Sequence, residues 1–160
     1  MAGRRAVFSL TSRLGAAFGT VGSLLASPSS VSFLASNPDA GVVSGSSPAS
    51  LSWSILSGSH TNNWTLSVQA DTSSFTGCPY IPVSAVQVSC SSASVGGTGG
   101  TGSCGGSFAL GTTAQQVAGG AEADGTNSYL VSASFTLAES WQYVANPSCS
   151  INLTYTVNAQ

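Results

Sequence analysis

LSWSILSGSHTNNWTLSVQA, residues 51–70, decides the fold. In its first half Leu51, Trp53 and Ile55 alternate with Ser52 and Ser54; in its second, Trp64, Leu66, Val68 and Ala70 alternate with Thr65, Ser67 and Gln69. Successive side chains of a strand point to opposite faces, so an apolar residue at every second position marks a strand with one buried face. The connecting residues Gly58, Ser59, His60 and Thr61 predict a hairpin. Pairing Ser57 with Asn62 sets Trp53 opposite Leu66 and Ile55 opposite Trp64, which brings both apolar sets to one face. His60 is then a residue of a solvated turn, with no acid beside it in sequence to orient it as a base.

The same period recurs in Tyr129, Val131, Ala133, Phe135 and Leu137, and in Ile151, Leu153, Tyr155 and Val157. Weaker strand candidates lie at Val31 to Ala35, Val86 to Cys90, Ser107 to Leu110 and around Val117. No segment behind the N-terminal stretch has helical periodicity, and no repeat of fixed length is visible. About seven or eight short strands separated by Gly, Ser and Asn clusters predict an all-β protein, an antiparallel Ig-like β-sandwich with Greek-key connections. A small closed β-barrel is the alternative. Between Gly96 and Gly106, seven of eleven residues are Gly, and composition predicts the most flexible stretch of the chain there, without a fixed conformation unless the flanking disulfide pins its ends.

Charge is scarce and unevenly placed. Only 5% of the residues are charged, no Lys occurs, and the three basic residues, Arg4, Arg5 and Arg13, all fall in the first thirteen positions. A basic start, the uncharged stretch from Leu14 to Ala26 and the small residues behind it read as a secretory signal over residues 1–26. That stretch is too short and Gly-rich for a permanent membrane span, so the reading is an extracellular or cell-surface protein with no integral span. Its removal leaves 160 − 26 = 134 residues with Asp39, Asp71, Glu122, Asp124 and Glu139 and no Lys or Arg. Residues 27–41 form an extended N-terminal segment and residues 42–160 the sandwich domain. With no basic surface, nucleic acid is excluded as a partner.

Cys78, Cys90, Cys104 and Cys149 are an even set in a chain that reads as exported. The glycine-rich segment between Cys90 and Cys104 can turn back on itself, which favours bridges Cys90–Cys104 and Cys78–Cys149. No C-x-x-C occurs and the lone His60 cannot complete a zinc set, so no metal or other cofactor is expected. Glu122, Asp124 and Asn127 offer oxygens around Gly125, but without the spacing of a calcium loop they read as a polar connection. There is no G-x-S-x-G elbow, one His, and five scattered acids, so no catalytic constellation is visible and the chain does not read as an enzyme.

Aromatic residues offer a different chemistry, because exposed rings on a sandwich can stack on sugars. Trp53 and Trp64 are in phase with Leu and Val and read as core. Trp141 and Tyr143, in ESWQYVANPSC (139–149), break the alternation and are the candidate glycan platform. Asn63-Trp64-Thr65 and Asn152-Leu153-Thr154 also fit the glycosylation pattern.

Taken together, the export-type start, paired cysteines, Ser/Thr/Gly-rich alternating strands and the terminal strand CSINLTYTVNAQ (149–160) resemble bacterial pilin-type β-sandwich subunits, including the chaperone-usher and spore-coat-U groups. The resemblance covers residues 27–160 in general character and implies an incomplete Ig-like fold whose missing strand comes from a neighbour. Two differences stand beside it: the first cysteine is Cys78, and Tyr155 lies five residues before the end. The expected function is a structural subunit of an extracellular fibre, pilus-like filament or surface layer, with copies of itself as partners. The alternative is a secreted module that binds surface glycans without catalysis. The candidate donor segment is residues 27–41, where Val31, Phe33 and Ala35 form an apolar comb between Pro28 and Pro38.

Overall fold

A computed structural model describes residues 4–14, 20–35, 41–59, 61–138 and 149–160. Fifteen strands follow in chain order: β1 (Arg4–Leu14), β2 (Thr20–Val21), β3 (Leu25–Ser27), β4 (Ser32–Ala35), β5 (Val42–Ser44), β6 (Ala49–Ser57), β7 (Asn63–Ala70), β8 (Ser74–Phe75), β9 (Cys78–Pro82), β10 (Val86–Val95), β11 (Ser103–Cys104), β12 (Phe108–Ala109), β13 (Gln115–Ala121), β14 (Gly125–Ala138) and β15 (Cys149–Ala159). They build two main sheets, and no closed barrel forms among the described residues. One sheet has the order β11-β13-β7-β15-β1-β4; the other has β12-β10-β14-β6, with β2 and β3 both on the far side of β6. Strand β5 continues the line of β6 along β14, and the small pair β8-β9 is a separate ladder bridged to β15 between Thr76 and Ser150. Among the described residues every pairing is antiparallel except β1 with β15.

The two halves of residues 51–70 do not form the hairpin that their alternation predicts. β6 pairs with β14 in one sheet, and β7 pairs with β13 and β15 in the other. The connection between them therefore crosses from sheet to sheet, and the two apolar faces meet across the core instead of side by side. Alternation cannot separate these cases, because both put Leu51, Trp53, Ile55, Trp64, Leu66 and Val68 in the interior. Trp53 stacks on its cross-strand neighbour Tyr129 at 5.7 Å, and Trp64, from the facing sheet, meets both rings edge-on at 5.4 and 5.5 Å. Such offset and T-shaped contacts suit the ring quadrupoles. Three rings thus join the sheets at the centre of the core.

The glycine-rich stretch has a defined path, with the flanking Cys90–Cys104 bridge in place. Gly96 N–H donates to Ser128 O, Thr101 N–H to Ala121 O and Gly105 N–H to Val117 O, while β11 pairs with β13. Glycine supplies closeness here rather than freedom. A Cβ on Gly120 would fall against the Thr101 carbonyl, and one on Gly102 would lie 2.8 Å from the Ala93 carbonyl oxygen. With no side chain in the way, the loop lies flat against the ends of both sheets.

Candidate assembly site

β15 is the strand from which the candidate site is built. Cys149, Ile151, Leu153, Tyr155, Val157 and Ala159 are buried, and the polar residues between them face outward. On one side β7 covers it in antiparallel register, with Tyr155 opposite Val68 and Val157 opposite Leu66. The other side is taken by β1, in parallel register from Ala6 opposite Cys149 to Leu14 opposite Val157. The sequence phases agree along this pair. Phe8, Leu10 and Leu14 stand level with Ile151, Leu153 and Val157, and Ser9 and Thr11 with Asn152 and Thr154. β4 closes the sheet beyond β1, with Ala6 opposite Phe33 and Arg4 opposite Ala35.

Residues that read as a leader thus provide interior and bridging strands: β1, β2 and most of β3 lie within residues 1–26, and a cut behind Ala26 would fall inside β3. The expected donor comb is seated in its own sandwich. Val31 and Phe33 are both 0% exposed. Val31 lies so close to Gly45 that a Cβ there would meet its side chain. Between β3 and β4 the chain passes from one sheet to the other over the cis Ser27–Pro28 bond.

Disulfides fasten the site at two levels. Cys78–Cys149 ties β9 to the first residue of β15 and is buried; Cys90–Cys104 joins β10 of one sheet to β11 of the other near the surface. Such bridges fit a compartment that does not reduce thiols. No helix among the described residues is long and apolar enough to cross a membrane. Asp71 also holds β15, accepting from Asn152 N–H at 3.2 Å and from its side-chain amide at 3.0 Å. That bond gives Asn152 a structural role; Asn63 is exposed at the start of β7.

The remaining candidates divide. Glu122, Asp124 and Asn127 do not converge: Glu122 is fully buried and accepts from Gln160 N–H at 3.0 Å, whereas the Asn127 amide donates to the Asp124 main-chain carbonyl. Sequence reading missed the burial of Glu122, since AEADG has the composition of an exposed loop. The Tyr129 hydroxyl oxygen accepts from Ala123 N–H at 3.0 Å; burial, with the Glu122 charge adding to it, raises its pKa above the ordinary phenol value. Tyr155 lies deep in the core, its hydroxyl without a partner, and burial drives its pKa well above that value. His60, Trp141 and Tyr143 lie outside the described residues. A cleft of about 210 Å³ opens where residues 45–48 interrupt the line of β5 and β6; Ser44, Ser47, Pro48, Ser134 and Thr136 line it, with no charged group.

No protein-family model matches this chain, and a search of curated proteins found no relative.

Proposed function

We propose that this protein is a structural subunit of an extracellular fibre or cell-surface layer whose copies join by β-strand donation. The observation that supports the reading is the occupant of the place beside β15. In a seven-strand immunoglobulin-type sandwich, strands A, B, E and D form one sheet and C, F and G the other. Here β3, β6, β14 and β10 stand in the order A, B, E, D, and β7 and β15 stand as C and F. Strand G would stand next, beside β15. Its place is held by β1, from the opposite end of the chain, running parallel to β15.

A strand so remote in sequence from its neighbour can be replaced by an equivalent strand of another copy. Export with loss of residues 1–26 would empty the place, leaving β15 and β4 each with an open side. The comb Val31, Phe33 and Ala35 of a neighbour, leaving its own sheet, would then complete the sheet beside β15 through main-chain hydrogen bonds, with alternate side chains supplying specificity. Head-to-tail donation is heterologous and need not close, and an open series of such joints is a filament.

The test compares the whole chain with a chain beginning at Ser27, by electron microscopy and light scattering. Fibres or large oligomers from the shortened chain, against monomers of the whole chain, support donation. A shortened chain that folds and stays monomeric at the same concentration would refute it.

A further inference from the structure

The outer edge of β10 is covered in an unusual way. On one side β10 pairs with β14 along its whole length, from Val86 opposite Leu137 to Val95 opposite Tyr129. On the other, β12 pairs only with Gln87 and Val88. Beyond that point no strand covers residues 91–95 among the described residues; the glycine loop does. Gly102 presses on the Ala93 carbonyl and Gly100 on the Val95 side chain, so closely that a Cβ at either would collide.

What holds the loop there is attached to the facing sheet. Thr101 and Ala121 exchange bonds, Ser103 Oγ donates to Gly119 O, and Trp64 Nε1 donates to Thr101 O. Apart from the Val95–Gly96 peptide bond from which it starts, its covalent tie to β10 is Cys90–Cys104. Cys104 is exposed and Cys90 half-buried, whereas Cys78 and Cys149 are 0% and 4% exposed. A thiolate must reach a sulfur to exchange with it, so the two bridges differ in access. Proteins commonly protect open edges with charge, yet residues 72–121 contain none. Covering is the protection this edge has.

We infer that residues 96–106 are a redox-held guard, and that reduction of Cys90–Cys104 frees the edge at residues 91–95 to pair with β10 of a second copy. In the chemical step a dithiol reductant gives up two electrons and two protons and becomes a cyclic disulfide, while the Cys90–Cys104 bond is cleaved to two thiols. The released loop keeps its bonds to β13 but loses its clamp on β10. Neutral, small-residue edges then meet without like-charge repulsion. This surface lies on the opposite sheet from the place beside β15 and does not depend on strand donation there.

The experiment treats the native full chain with increasing dithiothreitol, alkylates it, and follows thiol position by mass, amide exchange at residues 91–105, and particle size. Cys90 and Cys104 should label at concentrations that leave Cys78–Cys149 joined, with exchange at residues 91–95 rising at least tenfold in dilute, monomeric protein and the particle mass at least doubling as the protein is concentrated. Two variants approach the same state without reductant: Cys90→Ser with Cys104→Ser, and Gly102→Val, whose side chain lifts the loop while both bridges remain. Prior reduction of Cys78–Cys149 overturns the inference. So does selectively reduced protein whose exchange and size match the oxidised form. Should the double variant not fold, the reduced native chain and Gly102→Val still decide.

Discussion

The indole N–H of Trp64 donates to the main-chain carbonyl of Thr101 at 3.0 Å, so one side chain both closes the core and holds the glycine loop. Trp64→Phe keeps an aromatic ring and removes that donor. It should lower stability by roughly 2 kcal/mol, combining a lost hydrogen bond with a partly filled site, and speed exchange at the Thr101 amide. Trp64→Ala should cost about 3–5 kcal/mol. Urea unfolding measures both; a Phe variant with unchanged stability and unchanged loop exchange would show that the bond holds nothing.

The two disulfides should contribute unequally. Cys78 and Cys149 are 71 residues apart and Cys90 and Cys104 are 14 apart. Loop-closure entropy then assigns roughly 4 kcal/mol to the long bridge and about 3 kcal/mol to the short one. Paired Cys→Ser variants, compared by denaturant midpoint, test the order. Greater loss from the short bridge would mean that the loop it holds matters more than the chain entropy it removes.

Trypsin reports directly on β1, because its only sites are Arg4, Arg5 and Arg13. In the folded full chain those peptide bonds lie within an interior strand. Cleavage at Arg13 should therefore be at least a hundredfold slower in native protein than in urea, while residues 14–160 stay uncut in both. Equal rates would mean that β1 does not occupy the place beside β15.

Tyr155 sets an alkaline limit. Its folded pKa is raised by burial above the usual phenol value, so the neutral form is favoured in the folded state. Stability from this source is complete below about pH 10. Above that the unfolded chain loses a proton that the folded chain retains, and stability falls by about 1.4 kcal/mol per pH unit until the folded hydroxyl also ionises. Tyr155→Phe should shrink this alkaline loss and leave neutral-pH stability unchanged or raised, since it removes a buried hydroxyl without a partner. Urea titrations at pH 7 and pH 11 separate these outcomes; an unchanged alkaline slope would assign the limit to another group.

Residues 51–57, 64–70, 129–137 and 151–157 were legible as strands because each has one buried face, and a period of two follows from that alone. Which sheet each joins was not. Trp53 and Trp64 face one another across the core, and the same alternation would arise had they been neighbours in a hairpin. At Gly96–Gly106 composition left the path open unless the flanking bridge pinned it, and the close approach of Gly102 and Gly120 to neighbouring carbonyls was not legible. Composition misled at Glu122, whose carboxylate meets the Gln160 N–H in a site that only the folded chain creates. In residues 4–14 the alternation of Ala6, Phe8 and Leu10 was present, but the flanking arginines and the apolar run behind them also make a leader, and sequence alone gives no register with Ile151 or Leu153.

The parallel direction of β1 and β15 has a mechanical consequence. Tension applied at Arg4 and at Ala159 enters these neighbouring strands from opposite poles and draws them past one another lengthwise. All the hydrogen bonds between Ala6–Leu14 and Cys149–Val157 then share the load at once, whereas a hairpin pulled from its open end parts one bond at a time. Parallel ladders space those bonds evenly, so no weak first rung is offered. Under stretching, this pair should yield at a higher force than the antiparallel β8-β9 pair, and it is the part of the molecule best arranged to transmit tension.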